Sequence, residues 1–98
     1  MENTDHFESV FDIEHSVQVL RERIVKFCKQ NTDKVIRFDH YFDDCKRTSC
    51  RYMYCYYDEG MDDVVIKNDN NKFYTFLYAA SVDDVLSIAK AILNKEII

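Results

Sequence analysis

Residues 49–78 read SCRYMYCYYDEGMDDVVIKNDNNKFYTFLY, and this stretch decides the fold. Three runs dense in aromatic and β-branched residues, 49–57, 63–67 and 72–78, are separated by two polar turns. Such runs read as strands, and short turns between sequential strands predict antiparallel neighbours. The first turn, 58–61, holds the only glycine, Gly60. The second is Asn68-Asp69-Asn70-Asn71, and Asn and Asp tolerate the left-handed backbone that tight turns need.

Working outward, residues 34–42 alternate with period two. Ile36, Phe38, His40 and Phe42 point one way, and Val35, Arg37 and Asp39 the other, so this is a first strand with one buried face. Before it, residues 14–30 follow a helical period, with Val17, Leu20, Ile24, Phe27 and Cys28 on one face. Phe7, Val10 and Phe11 suit either a helical turn or a short strand, and residues 1–6 read as a loose polar start. After the strands, Ser81 is a good helix N-cap, with Asp83 and Asp84 in the first turn where anions are favoured. Val82, Val85, Leu86, Ala89, Ile92 and Leu93 form the expected core stripe of this last helix. The fold class expected is α+β: a four-stranded antiparallel meander flanked by an N-terminal and a C-terminal amphipathic helix. Residues 1–98 form one domain, with no repeat, linker or low-complexity tract.

Composition narrows the function. The chain has 98 residues, 47% hydrophobic and 32% charged, and so is too apolar and aromatic to be disordered. A chain this size buries roughly 60–65% of its unfolded surface, which leaves little room for a deep catalytic cleft. The net charge of −5 opposes bulk binding to nucleic acid or anionic membrane. The acids are concentrated at both ends, and residues 21–51 carry a local basic excess. With no signal peptide, membrane span or lipidation signal visible, a cytoplasmic protein with reduced thiols is expected. Plentiful Asp, Asn, Lys, Ile and Tyr beside one glycine and no proline suit an AT-rich genome, as in many viruses and phages.

The strands at 49–57 and 72–78 are apolar or aromatic on both faces. Tyr52, Tyr54 and Tyr56 alternate with Arg51, Met53, Cys55 and Tyr57. Phe73, Thr75 and Leu77 alternate with Tyr74, Phe76 and Tyr78. A strand with one wet face would alternate apolar with polar. Either the helices take one sheet face each, or they share one and leave a tyrosine-rich face for a second copy or another protein. Tyrosine suits an interface, since it combines a large apolar ring with a polar tip.

The remaining motifs carry less chemistry. Cys45, Cys50 and Cys55 lack the spacing of a zinc knuckle, and in a regular strand positions 50 and 55 point to opposite faces. His40 sits on an apolar face, where a histidine is expected to be a satisfied core group. Asp43-Asp44 and Asp62-Asp63 fall in turns, and Asp83-Asp84 is explained by helix capping. One glycine cannot build a phosphate-cradling loop. No catalytic residue, metal ligand or cofactor is expected.

Lys46, Arg47 and Arg51 beside Tyr52, Tyr54 and Tyr56 form a basic edge next to ring faces, which is how sheets hold single strands. The element order also resembles that of double-stranded RNA-binding domains. In that family the last helix meets phosphates through basic residues at its N-terminus. Here Ser81-Val82-Asp83-Asp84 stands in that place, and its charge repels them.

The expected function is therefore a small acidic, non-enzymatic protein-interaction module. It self-associates or binds a protein, as a viral or phage accessory protein binds a host protein. The expected contact residues are Tyr52, Tyr54, Tyr56, Tyr74 and Tyr78, with Lys46, Arg47 and Arg51 at the rim. An RNA- or single-strand-binding domain using that basic rim is the alternative.

Overall fold

Along the longest strand Tyr52, Tyr54 and Tyr56 alternate with Met53 and Cys55, and this alternation separates a dry face from an open one. The computed structural model describes residues 5–41 and 50–98, with side chains described in 15–41 and 51–98. The chain runs α1 (Asp5–Gln30), β1 (Ile36–Tyr41), β2 (Cys50–Asp58), β3 (Asp63–Lys67), β4 (Phe73–Phe76), one 3-10 turn at Leu77–Ala79, then α2 (Val82–Leu93). The strands form an antiparallel meander in the order β1-β2-β3-β4, so the expected α+β architecture is the one found. No described helix is long and apolar enough to cross a membrane.

Both helices pack on the same sheet face. Val17, Ile24 and Cys28 of α1 and Val85, Ile88 and Ala91 of α2 meet Ile36, Phe38, Met53, Cys55, Val64 and Ile66 in one buried cluster. The register explains the grouping: Phe38 faces Met53, Ile36 faces Cys55, and Cys55 faces Ile66. The periodicity of α1 placed its core residues correctly, with Leu20 and Phe27 packed at the margin. The helix is longer than the pattern from residue 14 implied. It begins at Asp5, and the ambiguous Phe7, Val10 and Phe11 continue it.

The core stripe expected of α2 is corrected. Asp84, Val85, Ile88 and Ala91 are the buried residues, while Val82, Leu86 and Leu93 are exposed. This helix is apolar around much of its circumference, so periodicity alone does not fix its rotation. Ser81 caps it as expected, accepting the N–H of Asp84 at 3.2 Å.

The uniform alternation expected over 72–78 is also corrected. Ile66 pairs with Thr75 but Lys67 with Phe73, so the ladder has a bulge and Tyr74 is the extra residue. Tyr74 swings to the helix-covered side, its ring edge-on to His40 with centroids 5.2 Å apart. Phe73 and Phe76 fall on the other side. The chain leaves the sheet after Phe76 because Leu77 turns into the core, and a 3-10 turn closed by Ala80 N–H on the Leu77 carbonyl leads to α2. In the β2–β3 turn the left-handed residue is Asp62, φ 54°, not the glycine. In the next turn it is Asn71, φ 63°.

After α2 the chain bends back along β1. Glu96 N–H donates to the Ala91 carbonyl and Lys95 N–H to that of Ile92, with Lys95 left-handed at φ 60°, a Schellman stop. Ile97 then bridges Ile36, and Val35 and Ile98 exchange backbone hydrogen bonds. This tail covers the free edge of β1.

Candidate functional site: the open face of the sheet

The face opposite the helices is built in cross-strand rows. Asp39 faces Tyr52, Arg37 faces Tyr54, Tyr54 faces Lys67, and Lys67 faces Phe73. The next row runs from Tyr56 through Val65 to Phe76. Neighbours of this kind lie roughly 4.5–5.5 Å apart at Cβ and touch. Phe73 packs edge-on against Phe76 at 4.9 Å, and Phe76 stacks on Tyr78 at 5.3 Å. Val65 is fully buried yet stands outside the main core cluster. It lies under the aromatic rings, which form a thin second layer.

The rings do not cover one another completely. Tyr52 is 50% exposed, Phe73 43% and Tyr78 65%, while Tyr54, Tyr56 and Phe76 are half-buried. Two cations on the face, Arg37 and Lys67, each lie over a ring and end on a carboxylate. Arg37 sits 4.6 Å from the Tyr52 ring centroid and pairs with Glu96 at 3.0 Å. Lys67 sits 5.5 Å from the Tyr56 ring centroid and reaches Asp58 at 3.1 Å. The Tyr56 hydroxyl and Asp58 hold Lys67 above its ordinary pKa. Lys67, with the Met61 N–H, holds Asp58 below its own. Val35, Tyr54, Tyr56 and Lys67 floor a shallow hollow of about 310 Å³, rimmed by Asn68, Asp69 and Asn71. Asn68 Oδ1 stiffens that rim by accepting from the N–H groups of Asn70 and Lys72.

The expected contact residues divide between two places. Tyr52, Tyr54, Tyr56 and Tyr78 share the open face. Tyr74 and Arg51 instead line a cleft of about 410 Å³ on the helix side, with His40, Met53 and Ser81. Arg51 is therefore not beside the tyrosine row, since it alternates with Tyr52 and faces His40 in the register. Lys46 and Arg47 lie outside the described residues, within the stretch 42–49. Among the described residues, the cations that flank the tyrosines are Arg37 and Lys67. Pattern reading missed them because only strand register brings them to β2.

Sequence reading also missed Phe73, Phe76 and Val65, although three successive buried residues in β3 are the mark of a strand covered on both sides. It explained Asp84 by capping alone, whereas Asp84 is buried against His40. His40 is the satisfied core group expected of it. Among the described residues, no cluster of His, Cys, Asp and Glu could hold a metal ion. A second apolar surface, Val82, Leu86 and Leu93, runs along α2. Compared with protein-family models, curated proteins and solved structures, the chain matches none.

Proposed function

We propose that this chain is a non-enzymatic protein-interaction module whose open sheet face takes a second copy of the same chain. One observation carries the proposal. Both helices occupy one face, and the other leaves the rings of Tyr52, Phe73 and Tyr78 exposed. Burying such rings stabilises an interface by about 25 cal/mol per Å² of apolar area, and tyrosine contributes beyond its area. Charge favours protein over phosphate, since Arg37 and Lys67 already hold carboxylates and Asp39 stands at the same surface. Both signs of charge lie among the rings, so the face complements a copy of itself.

Sedimentation velocity from about 10 μM to about 1 mM tests this. A monomer–dimer equilibrium is expected. Tyr52→Lys and Tyr78→Lys, both at exposed positions, should each weaken it at least about tenfold with unchanged circular dichroism. Leu86→Lys on α2 should leave it intact. A monomer throughout the range, or a dimer that Leu86→Lys dissociates and the tyrosine changes do not, overturns the proposal.

A further inference from the structure

The C-terminal tail runs along the edge of β1 as far as Arg37 and no further. Val35 and Arg37 give their N–H groups to the carbonyls of Ile98 and Glu96. Successive strand residues turn their backbone groups to opposite sides, so Ile36, Phe38 and His40 bond β2, and Asp39 turns its N–H and C=O outward. Glu96, opposite Arg37, donates its own N–H to the Ala91 carbonyl, and the chain before it belongs to the end of α2. Among the described residues, no backbone group pairs with the outward N–H and C=O of Asp39.

A groove of about 320 Å³ lies at this open edge, lined by Asp39 and Tyr52 of the sheet and by Ser87, Lys90 and Asn94 of α2. Arg37 and Glu96 also line it, where the tail ends the open part of the edge. Lys90 belongs to that closed end, since the Glu96 N–H bonds the carbonyl of its neighbour Ala91. Arg37 and Glu96 neutralise each other as an ion pair at 3.0 Å. Lys90 is exposed and, among the described residues, makes no ion pair, so the closed end keeps one positive charge. Asp39 is exposed and likewise outside the ion pairs.

We propose that this groove takes the C-terminal segment of another protein as a short fifth strand, antiparallel to β1, with its terminal carboxylate beside Lys90. Strand addition of this kind takes affinity from backbone hydrogen bonds and specificity from the side chains around them. Three features select the occupant. Asp39 presents a donor and an acceptor together, which extended backbone matches. Glu96 occupies the place opposite Arg37, so a strand entering from the Asp39 end stops there. Lys90 favours a carboxylate at that stop and repels the ammonium of a parallel strand that would start there. A basic side chain opposite Asp39 completes the match. A second copy fits less well, because pairing Asp39 with its counterpart sets two carboxylates directly opposite each other. The groove borders the open face, and its occupant is a different chain from the proposed dimer partner.

The test titrates the full, nitrogen-15-labelled chain with the peptide Ser-Val-Thr-Lys-Val bearing a free C-terminal carboxylate, whose penultimate lysine is placed opposite Asp39. Saturable amide shifts at Asp39 and along Ser87–Asn94 are expected below about 1 mM peptide, with Asp39 amide exchange slowed at least about fivefold. Amidating the peptide's carboxylate, or Lys90→Glu on the exposed side of α2, should each weaken binding at least about fivefold. Methylating the backbone nitrogen of the peptide's lysine, which removes the donor to the Asp39 carbonyl, should weaken it at least about tenfold. Leu86→Lys should leave it unchanged. No saturable shift up to about 5 mM, shifts centred on β4, or equal binding of the acid and the amide overturns the proposal. The titration is repeated on Tyr78→Lys, where the same affinity is expected. Peptide binding without dimerisation sinks only the open-face proposal, and dimerisation without peptide binding sinks only this one.

Discussion

The imidazole of His40 in β1 and the carboxylate of Asp84 in α2 meet inside the protein, with His40 Nδ1–H donating to Asp84 Oδ1 at 2.8 Å. Both side chains are buried. The pair fixes the rotation of α2, because turning Asp84 inward carries Val85, Ile88 and Ala91 with it and leaves Val82, Leu86 and Leu93 outside. Breaking a buried polar pair by deleting one partner leaves the other desolvated without compensation. Asp84→Ala is therefore expected to cost about 2–4 kcal/mol in urea unfolding. Replacing both residues with leucine should cost less than Asp84→Ala alone. A loss below about 0.5 kcal/mol for Asp84→Ala would show that the pair does not hold the helix.

Lys95 occupies the left-handed position that ends α2, where a side chain is unfavourable and glycine is not. Lys95→Gly should raise stability by about 0.5–1 kcal/mol, read from the urea midpoint at constant m-value. A drop in the midpoint would mean that the lysine makes up for its backbone strain elsewhere.

Removing Glu96, Ile97 and Ile98 deletes the hydrogen bonds to Val35 and Arg37 and the Arg37–Glu96 ion pair. It also bares the edge of β1. The expected cost is about 1–3 kcal/mol, with light scattering that grows on storage as free edges pair. Unchanged stability and scattering would make the tail dispensable.

Acid should reveal the Asp58–Lys67 pair. The folded pKa of Asp58 is depressed, first by Lys67 and then by the Met61 N–H. Its contribution is therefore present above the unfolded value, about pH 3.9, and is lost as pH falls through the lower folded value. Between neutral pH and about pH 2.5 the thermal midpoint of Asp58→Asn should fall less than that of the parent chain. Parallel curves would mean that solvent screens the pair entirely.

Much of the architecture was legible before any coordinates. Alternation in β1 identified Ile36, Phe38 and His40 as inward, the Asn-rich turn and Ser81 marked their own conformations, and α1 displayed its core face by spacing. These features are local, set by backbone preference and by the period at which side chains return to one side. Much of the candidate site was not legible in this way. β2 is aromatic or apolar on both sides, so its pattern does not say which side the helices take. Arg37 and Lys67 reach the tyrosines only through strand register. One bulged residue sends Tyr74 away from Phe76.

The amino-acid order by itself determined the sequence of elements and the two-sided aromatic character of the sheet. Tertiary structure alone decided that both helices share one face, that α2 turns on the His40–Asp84 contact, and that Cys28 and Cys55 enter one core. Each of those outcomes depends on which distant surfaces exclude water together, and that free energy belongs to the assembled core rather than to any single segment.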